Sequence, residues 1–426
     1  MRTKRFIFIS LGVVCLVLVP LACKKRDYKS EMVADKSSQP AKAGKWIVKY
    51  RPADTTKAGS YAALYSFNAI SIVSPSLIYV VANYPDPLET DNRIPILIKS
   101  VDGGENWTEK RIATGDKKIT RLNAVRFETA DSGWAAGADE EGHGFVLRTS
   151  DGGANWSVTP ISATLTPTSI YGDQSGLWLA GVAPRPPAAP AIIPNSPNAG
   201  QSAKAVKSAT AKPRPASTSK PGKSSKSDDD DETSDDGPSD LLFSSDQGSN
   251  WISRYRLPVS INDFCFLDSN TAWAVGNPAS VYHTSDAGRT WDSQDTGIAS
   301  GFGTHRPQIG LSGVSFCDPM HGWIAGSSEI PATGVVESTS DGGKTWNLLW
   351  NADGETFEDI LFVTPKEGWV VSVNGRYVFH SGDAGRTWQV ESIEYDQRPP
   401  LYRLAALDPS HVWAVGGGGI FFRQAP

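Results

Sequence analysis

Cysteine, histidine and methionine are scarce in this 426-residue chain, at four, six and three copies. The six histidines are scattered and no Cys/His spacing recurs, which argues against a catalytic metal. Four cysteines make no disulfide framework, because Cys15 lies inside an N-terminal apolar run and Cys23 ends it. The other two, Cys265 and Cys317, fall on opposite faces by period-two counting, so buried thiols are expected rather than a bridge. No glycine-rich loop leads into a helix, so nucleotide binding has no support. The formal net charge of −5 leaves no basic surplus, and a nucleic-acid partner is not expected. No cofactor is expected either.

What the chain has in quantity is a repeated phrase. Six times it reads Ser or Thr, any residue, Asp, any residue, Gly, any residue, Asn or Thr, Trp. The first copy is Ser100-Val101-Asp102-Gly103-Gly104-Glu105-Asn106-Trp107, and the others run 149–156, 244–251, 284–291, 339–346 and 381–388. Successive copies lie 40 to 55 residues apart, and once 95 apart, the spacing of stacked like units. Each copy follows a short β-like run and each Trp opens another, so the phrase reads as a hairpin turn between antiparallel strands. An Asp can hold such a turn closed by accepting backbone N–H groups, Gly supplies positive φ, and Trp buries a large ring. Asp102, Trp107, Asp151, Trp156, Asp246, Trp251, Asp286, Trp291, Asp341, Trp346, Asp383 and Trp388 are therefore read as structural. Six equivalent hairpins would point around a ring instead of converging on one catalytic site.

A second phrase precedes the first: an aromatic residue, two small or apolar residues and Gly. It occurs as Trp134-Ala135-Ala136-Gly137, Trp178-Leu179-Ala180-Gly181, Trp273-Ala274-Val275-Gly276, Trp323-Ile324-Ala325-Gly326 and Trp413-Ala414-Val415-Gly416. Trp369-Val370-Val371-Ser372 and Tyr79-Val80-Val81-Ala82 are degraded copies. With an alternating run before each, this gives four short strands per unit, the blade of a β-propeller. Seven such units are counted, but only six are complete. The last stops at Gly419-Ile420-Phe421-Phe422-Arg423, and Lys45-Trp46-Ile47-Val48-Lys49-Tyr50 reads like its missing fourth strand. The expected fold is all-β: a seven-bladed β-propeller with Asp-box hairpins, closed by an N-terminal strand that removes two open sheet edges.

Residues 1–22 read as an export signal, with Met1-Arg2-Thr3-Lys4-Arg5 before an apolar run from Phe6 to Ala22. Leu21-Ala22-Cys23 resembles the lipobox of bacterial lipoproteins, which would make Cys23 the lipidation site, with Pro20 a departure from the usual Leu. The competing reading is an uncleaved membrane anchor. Residues 23–44 read as a flexible tether. The propeller is expected over 45–182 and 241–426, interrupted at 183–240 by a Pro-, Ala-, Ser- and Lys-rich stretch ending in Asp228-Asp229-Asp230-Asp231-Glu232. That stretch cannot bury enough apolar surface to fold, and it is expected to be disordered. It falls between the second and third strands of its blade, on the face opposite the Asp boxes.

Among Asp-box propellers, the export signal, lipobox, blade count and alternating Trp phrases most resemble the photosystem II stability/assembly factor family. The resemblance covers about 45–182 and 241–424. It implies a non-enzymatic propeller that holds membrane-associated protein subunits through an arginine-rich patch, and Arg121, Arg306 and Arg403 are the candidates on the face opposite the Asp boxes. It also implies a monomer anchored by lipid to the bacterial cell envelope, in the thylakoid lumen if the host is photosynthetic. The long insert departs from the family pattern. Asp boxes also occur in sialidases and other glycoside hydrolases, which keeps an enzyme, or a surface glycan-binding module, as an alternative. Asn92-Arg93-Ile94-Pro95 resembles the sialidase arginine motif but stands only seven residues before Ser100, far from the axis. The acidic residues near inner-strand starts are Asp263, Glu358 and Asp359, the only candidates for a convergent carboxylate pair.

Overall fold

The computed structural model describes residues 44–52, 65–85, 93–115, 118–162, 165–173, 176–182, 237–298, 309–329, 332–373, 377–394 and 400–425. The signal, Cys23, the tether up to residue 43, most of the insert and Arg306 lie outside the described residues.

The phrases set the strands. β1 (Lys45–Tyr50) stands apart in sequence. The first sheet is β2 (Ser66–Ser74), β3 (Leu77–Pro85), β4 (Arg93–Ser100) and β5 (Thr108–Arg111). The second is β6 (Arg121–Phe127), β7 (Gly133–Ala138), β8 (Gly144–Thr149) and β9 (Ser157–Ser162). Next come β10 (Thr166–Asp173), β11 (Gly176–Val182), β12 (Ser239–Ser244) and β13 (Ile252–Leu257). β14 (Ser260–Phe266), β15 (Ala272–Asn277), β16 (Ser280–Thr284) and β17 (Asp292–Gln294) form the fourth, and β18 (Ile309–Phe316), β19 (Gly322–Glu329), β20 (Ala332–Thr339) and β21 (Asn347–Asp353) the fifth. The last sheet has eight strands: β22 (Phe357–Phe362), β23 (Gly368–Ser372), β24 (Tyr377–Ser381) and β25 (Gln389–Glu394), then β1, β28 (Gly419–Gln424), β27 (Val412–Gly416) and β26 (Leu401–Ala406).

The first strands form the inner ring. β2 lies against β6, β6 against β10, and so on through β14, β18, β22 and β26, which returns to β2. The molecule is an all-β propeller. Second strands such as Gly133–Ala138 are buried along their whole length, while the outermost Thr108–Arg111 is exposed throughout. Because strands alternate in direction, the Asp boxes share one face with the first-to-second-strand turns. Gly152 N donates to Asp131 O and Gly342 N to Met320 O, tying the two turns of one blade together. The other face carries the starts of the inner strands and the second-to-third-strand loops. The interruption after Val182 opens on that second face, and β12 resumes at Ser239, two residues before the expected boundary at 241.

Each box closes through the same donors. In the first, Asp102 Oδ1 accepts from Ser100 Oγ at 2.9 Å and Asn106 N at 2.9 Å, and Oδ2 accepts from Asn106 Nδ2 at 2.8 Å. Such donors draw the carboxyls of Asp102, Asp151, Asp246, Asp286 and Asp341 down to about 2. The residue after each Asp is left-handed, and it is Gln247, Ala287 or Ala384 where it is not Gly.

The two phrases meet between blades. Trp134 Nε1 donates to Gln247 O at 3.0 Å, and Trp323 Nε1 donates to Ala384 O at 3.0 Å, each a second-strand Trp reaching the next blade's Asp box. The Phe ending the next inner strand stacks on the same ring. Centroids are 3.6 Å apart for Trp273 and Phe316, 3.8 Å for Trp323 and Phe362, and 3.5 Å for Tyr79 and Phe127. That Phe in turn meets its own box Trp edge-on, as in Phe316 against Trp346 at 6.0 Å. In the first box the fifth-position Gly is required because the neighbouring ring leaves no room: a Cβ on Gly104 would sit 2.3 Å from Trp413 Cη2.

The N-terminal strand closes the ring as expected. β1 pairs antiparallel with β28, with Trp46 opposite Arg423, and parallel with β25, with Trp46 opposite Ile393. At this seam no Asp box is available to receive Trp369. A buried ion pair stands there instead. Arg423 lies over the Trp369 ring at 4.9 Å and pairs with Glu391 at 2.8 Å. Glu391 also accepts from Trp46 Nε1 and Gly44 N, both at 2.8 Å. Cys265 and Cys317 form no disulfide, as expected, although Cys265 is only half-buried.

Two stability predictions follow from these contacts. Gly104→Ala combines positive φ with a ring clash and is expected to cost about 2–4 kcal/mol. Gly115→Ala, at positive φ in open space, should cost only about 1–2 kcal/mol. Urea melts of the two variants compare them directly. Arg423→Ala strands the buried Glu391 charge and should cost about 3–5 kcal/mol by the same measurement.

Candidate partner-binding face and axial charge cluster

Every inner strand carries a one-residue bulge at the same register. The bulged residues are Asn68, Asn123, Thr168, Asn262, Ser312, Glu358 and Tyr402. A bulge re-aims a side chain out of the ladder, and here it aims at the next inner strand. Asn68 Nδ2 donates to Leu122 O at 2.7 Å, Asn123 Nδ2 to Pro167 O at 2.8 Å and Thr168 Oγ1 to Ile261 O at 3.3 Å. Asn262 Nδ2 donates to Leu311 O at 2.8 Å and Ser312 Oγ to Phe357 O at 2.6 Å. The pattern stops at Glu358, whose carboxylate has no proton to give. Arg403 bridges this gap, with Nη1 on Tyr402 O at 3.2 Å and a weaker contact to Glu358 O at 3.5 Å.

The residues that follow the bulges form the next tier: Ala69, Ala124, Ser169, Asp263, Gly313, Asp359 and Arg403. Asp263 Oδ2 accepts from Val314 N at 3.1 Å. Asp359 Oδ2 accepts from Leu404 N at 2.7 Å and Oδ1 from Ile360 N at 2.8 Å. Burial pushes Asp359 up to about 7, with Arg403 opposing the shift and Asp263 adding to it. Burial likewise raises Asp263 and Glu358 against the pull of Arg403. For Arg403 burial works against the charge, but Asp359, Asp263 and Glu358 outweigh it and hold the guanidinium protonated. Three acids and one base thus surround the axis.

Of the three sequence-selected arginines, Arg121 is exposed at the start of β6 and Arg403 is half-buried in the axial tier. Arg306 lies outside the described residues. The acids Asp263, Glu358 and Asp359 do come together, but the two aspartates spend oxygens on neighbouring-strand amides. Arg93 begins β4, a third strand, away from the axis as expected. Sequence reading missed the bulge tier, although its signal was present: a polar residue at the second to fourth position of each inner strand, as in Asn123-Ala124 and Asn262-Asp263. It also missed Glu391, whose partner Arg423 is distant in sequence.

Residues 92–174 match the family described as Photosynthesis system II assembly factor YCF48. The photosystem II assembly lipoprotein Ycf48 of Synechococcus sp. strain CC9902 is 37% identical over 100 residues, which is 23% of this chain and 28% of that protein. The chloroplastic photosystem II stability/assembly factor HCF136 of Arabidopsis thaliana is 24% identical over 214 residues, 44% of this chain and 48% of that protein. The chain therefore spans less than half the length of these relatives in the matched segments. In fold, it is similar to YCF48 bound to D1 peptide, with a TM-score of 0.56 and 16% identity, covering 91% of this chain and 100% of that one. It is also similar to the GH74 xyloglucanase of Xanthomonas campestris, with a TM-score of 0.54 and 13% identity, covering 88% of this chain and 53% of that one. At such identities the structural likenesses speak for the fold alone.

The raised Asp359 sets a pH dependence. An acid whose folded pKa lies above its unfolded value of about 3.9 brings no penalty below pH ~4; the penalty grows to completion above pH ~7. Asp359→Asn keeps one acceptor and abolishes the titration. Its stability relative to wild type should rise by at least about 1 kcal/mol between pH 5 and 8, read from urea melts across that range. A flat difference would remove the axial charge from the account. By segment match, curated relatives and fold, the chain is a propeller similar to the photosystem II assembly factors.

Proposed function

We propose that this chain is a non-enzymatic, seven-bladed propeller scaffold, tethered to a membrane by lipid at Cys23, that binds membrane-associated protein subunits during their assembly. The observation that carries this reading is the match of residues 92–174 to the YCF48 assembly-factor family, with Ycf48 lipoproteins among the relatives. YCF48 has been solved bound to D1 peptide, which supports a segment of a membrane protein as the kind of partner. Seven blades are supported by the inner strands β2, β6, β10, β14, β18, β22 and β26, each neighbouring the next around a closed ring. The protein would act as a monomer on the outer side of the bacterial membrane, or in the thylakoid lumen of a photosynthetic host.

Catalysis is disfavoured by the chemistry of the axis. Glycosidase carboxylates need lone pairs directed at substrate or water. Those of Asp263 and Asp359 are directed in part at Val314 N, Leu404 N and Ile360 N. Arg403 is best assigned to neutralising this tier, which leaves Arg121 and Arg306 as the arginines offered to a partner. Crosslinking with mass spectrometry on native membranes tests the reading. Arg121→Glu with Arg306→Glu should lower capture of the wild-type partners several-fold while the melting temperature holds. Full retention of every crosslink would remove the arginine surface. Release of sugar from sialoside or xyloglucan would overturn the non-enzymatic assignment, and retention on glycans without turnover would favour a glycan-binding module.

A further inference from the structure

The loop between β7 and β8 gathers chemistry that the partner-binding reading does not use. It lies on the face opposite the Asp boxes, and its Asp139, Glu141 and His143 bring one imidazole nitrogen and two carboxylate oxygens within 4.8 Å of one another. His143 Nδ1 is 2.8 Å from Asp139 Oδ2 and 3.9 Å from Glu141 Oε2. Ligand atoms bound to one zinc ion at about 2.0–2.2 Å lie roughly 3–3.5 Å apart, so the observed separations bracket a shared shell.

We propose that Asp139, Glu141 and His143 form a site for a divalent transition metal of the zinc type. The donor set, one neutral imidazole and two carboxylates, suits zinc better than the all-oxygen shells that calcium and magnesium prefer. Ligation through Nδ1 uses the neutral tautomer that carries its proton on Nε2, and the metal takes the place of the hydrogen bond between His143 Nδ1 and Asp139 Oδ2. The loop is already shaped for this. Asp139 Oδ1 accepts from His143 N at 2.8 Å, Asp139 N donates to His143 O at 3.1 Å, and Gly142 turns the chain at φ +82°. Asp139 is thereby fixed, at 7% exposure, while the Glu141 carboxylate is 71% exposed and can swing inward. Open positions on the ion would face solvent.

An Asp–His contact alone does not make such a site in this fold. His321 Nδ1 meets Asp318 Oδ2 at 2.8 Å and His411 Nδ1 meets Asp408 Oδ2 at 3.0 Å. Both pairs close first-to-second-strand turns, and among the described residues neither gathers a third ligand. They are internal controls: the same pairing without Glu141's counterpart.

Zinc titration of the untagged full-length chain by calorimetry, and cobalt(II) titration by visible absorbance, test the assignment. About one equivalent should bind in the micromolar range, more weakly as the pH falls and protons compete for the ligands. His143→Ala and Glu141→Gln should each weaken binding at least ~10-fold, whereas His321→Ala should not. Glu141 is exposed, so its variant reports on the site even if His143→Ala perturbs the loop. Binding no tighter than millimolar, or binding unchanged in Glu141→Gln and His143→Ala, overturns the site. Neither result bears on partner capture, which is scored separately.

Discussion

The constraint on which the fold depends is the contact between a second-strand aromatic ring and the next blade. A four-stranded sheet with one buried and one outer edge cannot cover its own apolar faces, so each blade is stable only against neighbours. Here the neighbour supplies two things at once: a flat Phe ring from its inner strand and a backbone carbonyl from its Asp-box turn. The stack buries area, and the indole N–H finds an acceptor that would otherwise be a cost. Trp323 illustrates both, with Phe362 on its face and Ala384 O on its nitrogen. The box Asp therefore acts at one remove. It fixes the turn whose carbonyl the neighbouring Trp needs.

One seam of this ring is special, because β1 lies in it and pairs with both β25 and β28. Between β22–β25 and β26–β28 the Asp box is missing, and the fold substitutes a charged cluster at the same kind of ring. Trp369 is covered by Arg423 and His380 in place of a turn. Buried ion pairs contribute little net stability against an apolar substitute, yet breaking one is severe. That asymmetry suits a closure. It makes pairing of β1 with β28 specific, since Arg423 and Gly44 must both reach Glu391. The axial tier shows the same substitution on the inner side. Where Glu358 cannot donate as Asn or Ser does at the other bulges, Arg403 Nη1 approaches Glu358 O across the gap at 3.5 Å.

The four-strand unit and the turn chemistry were legible in the sequence because each is written locally and six or seven times. A spacing of 40 to 55 residues between boxes leaves room for four strands and little else. The β1–β28 pairing was legible because the last unit visibly lacked a strand and Trp46 supplied one. The seams were not legible. Whether Trp134 points at its own box or the next one depends on blade twist and spacing, which no single repeat encodes. Arg403 was read as a surface arginine because its position after a bulge, two residues into β26, puts it at the axis only once the ring is closed. The Asp139–Glu141–His143 grouping was invisible for a simpler reason: the histidines were judged by spacing to other histidines and cysteines, and this one has carboxylates as its neighbours.

The repeats also explain where specificity can reside. Positions that hold blades together recur around the ring: box Asp, fifth-position Gly, second-strand aromatic and, in β6, β14, β18 and β22, a terminal Phe. Substituting any of them is felt by two blades, so little freedom remains there for recognition. The face opposite the boxes is different. Its second-to-third-strand loops carry no shared phrase and vary from the tight turn between Gly416 and Gly419 to the long interruption after Val182. Loops held on a rigid scaffold are where binding residues accumulate. Arg121, the axial mouth and the β7–β8 loop all lie on that face, so the non-repeating chemistry of the molecule is gathered on one side of the disc. This side presents the exposed Arg121 guanidinium at the start of an inner strand and an acid-rich tier at the centre.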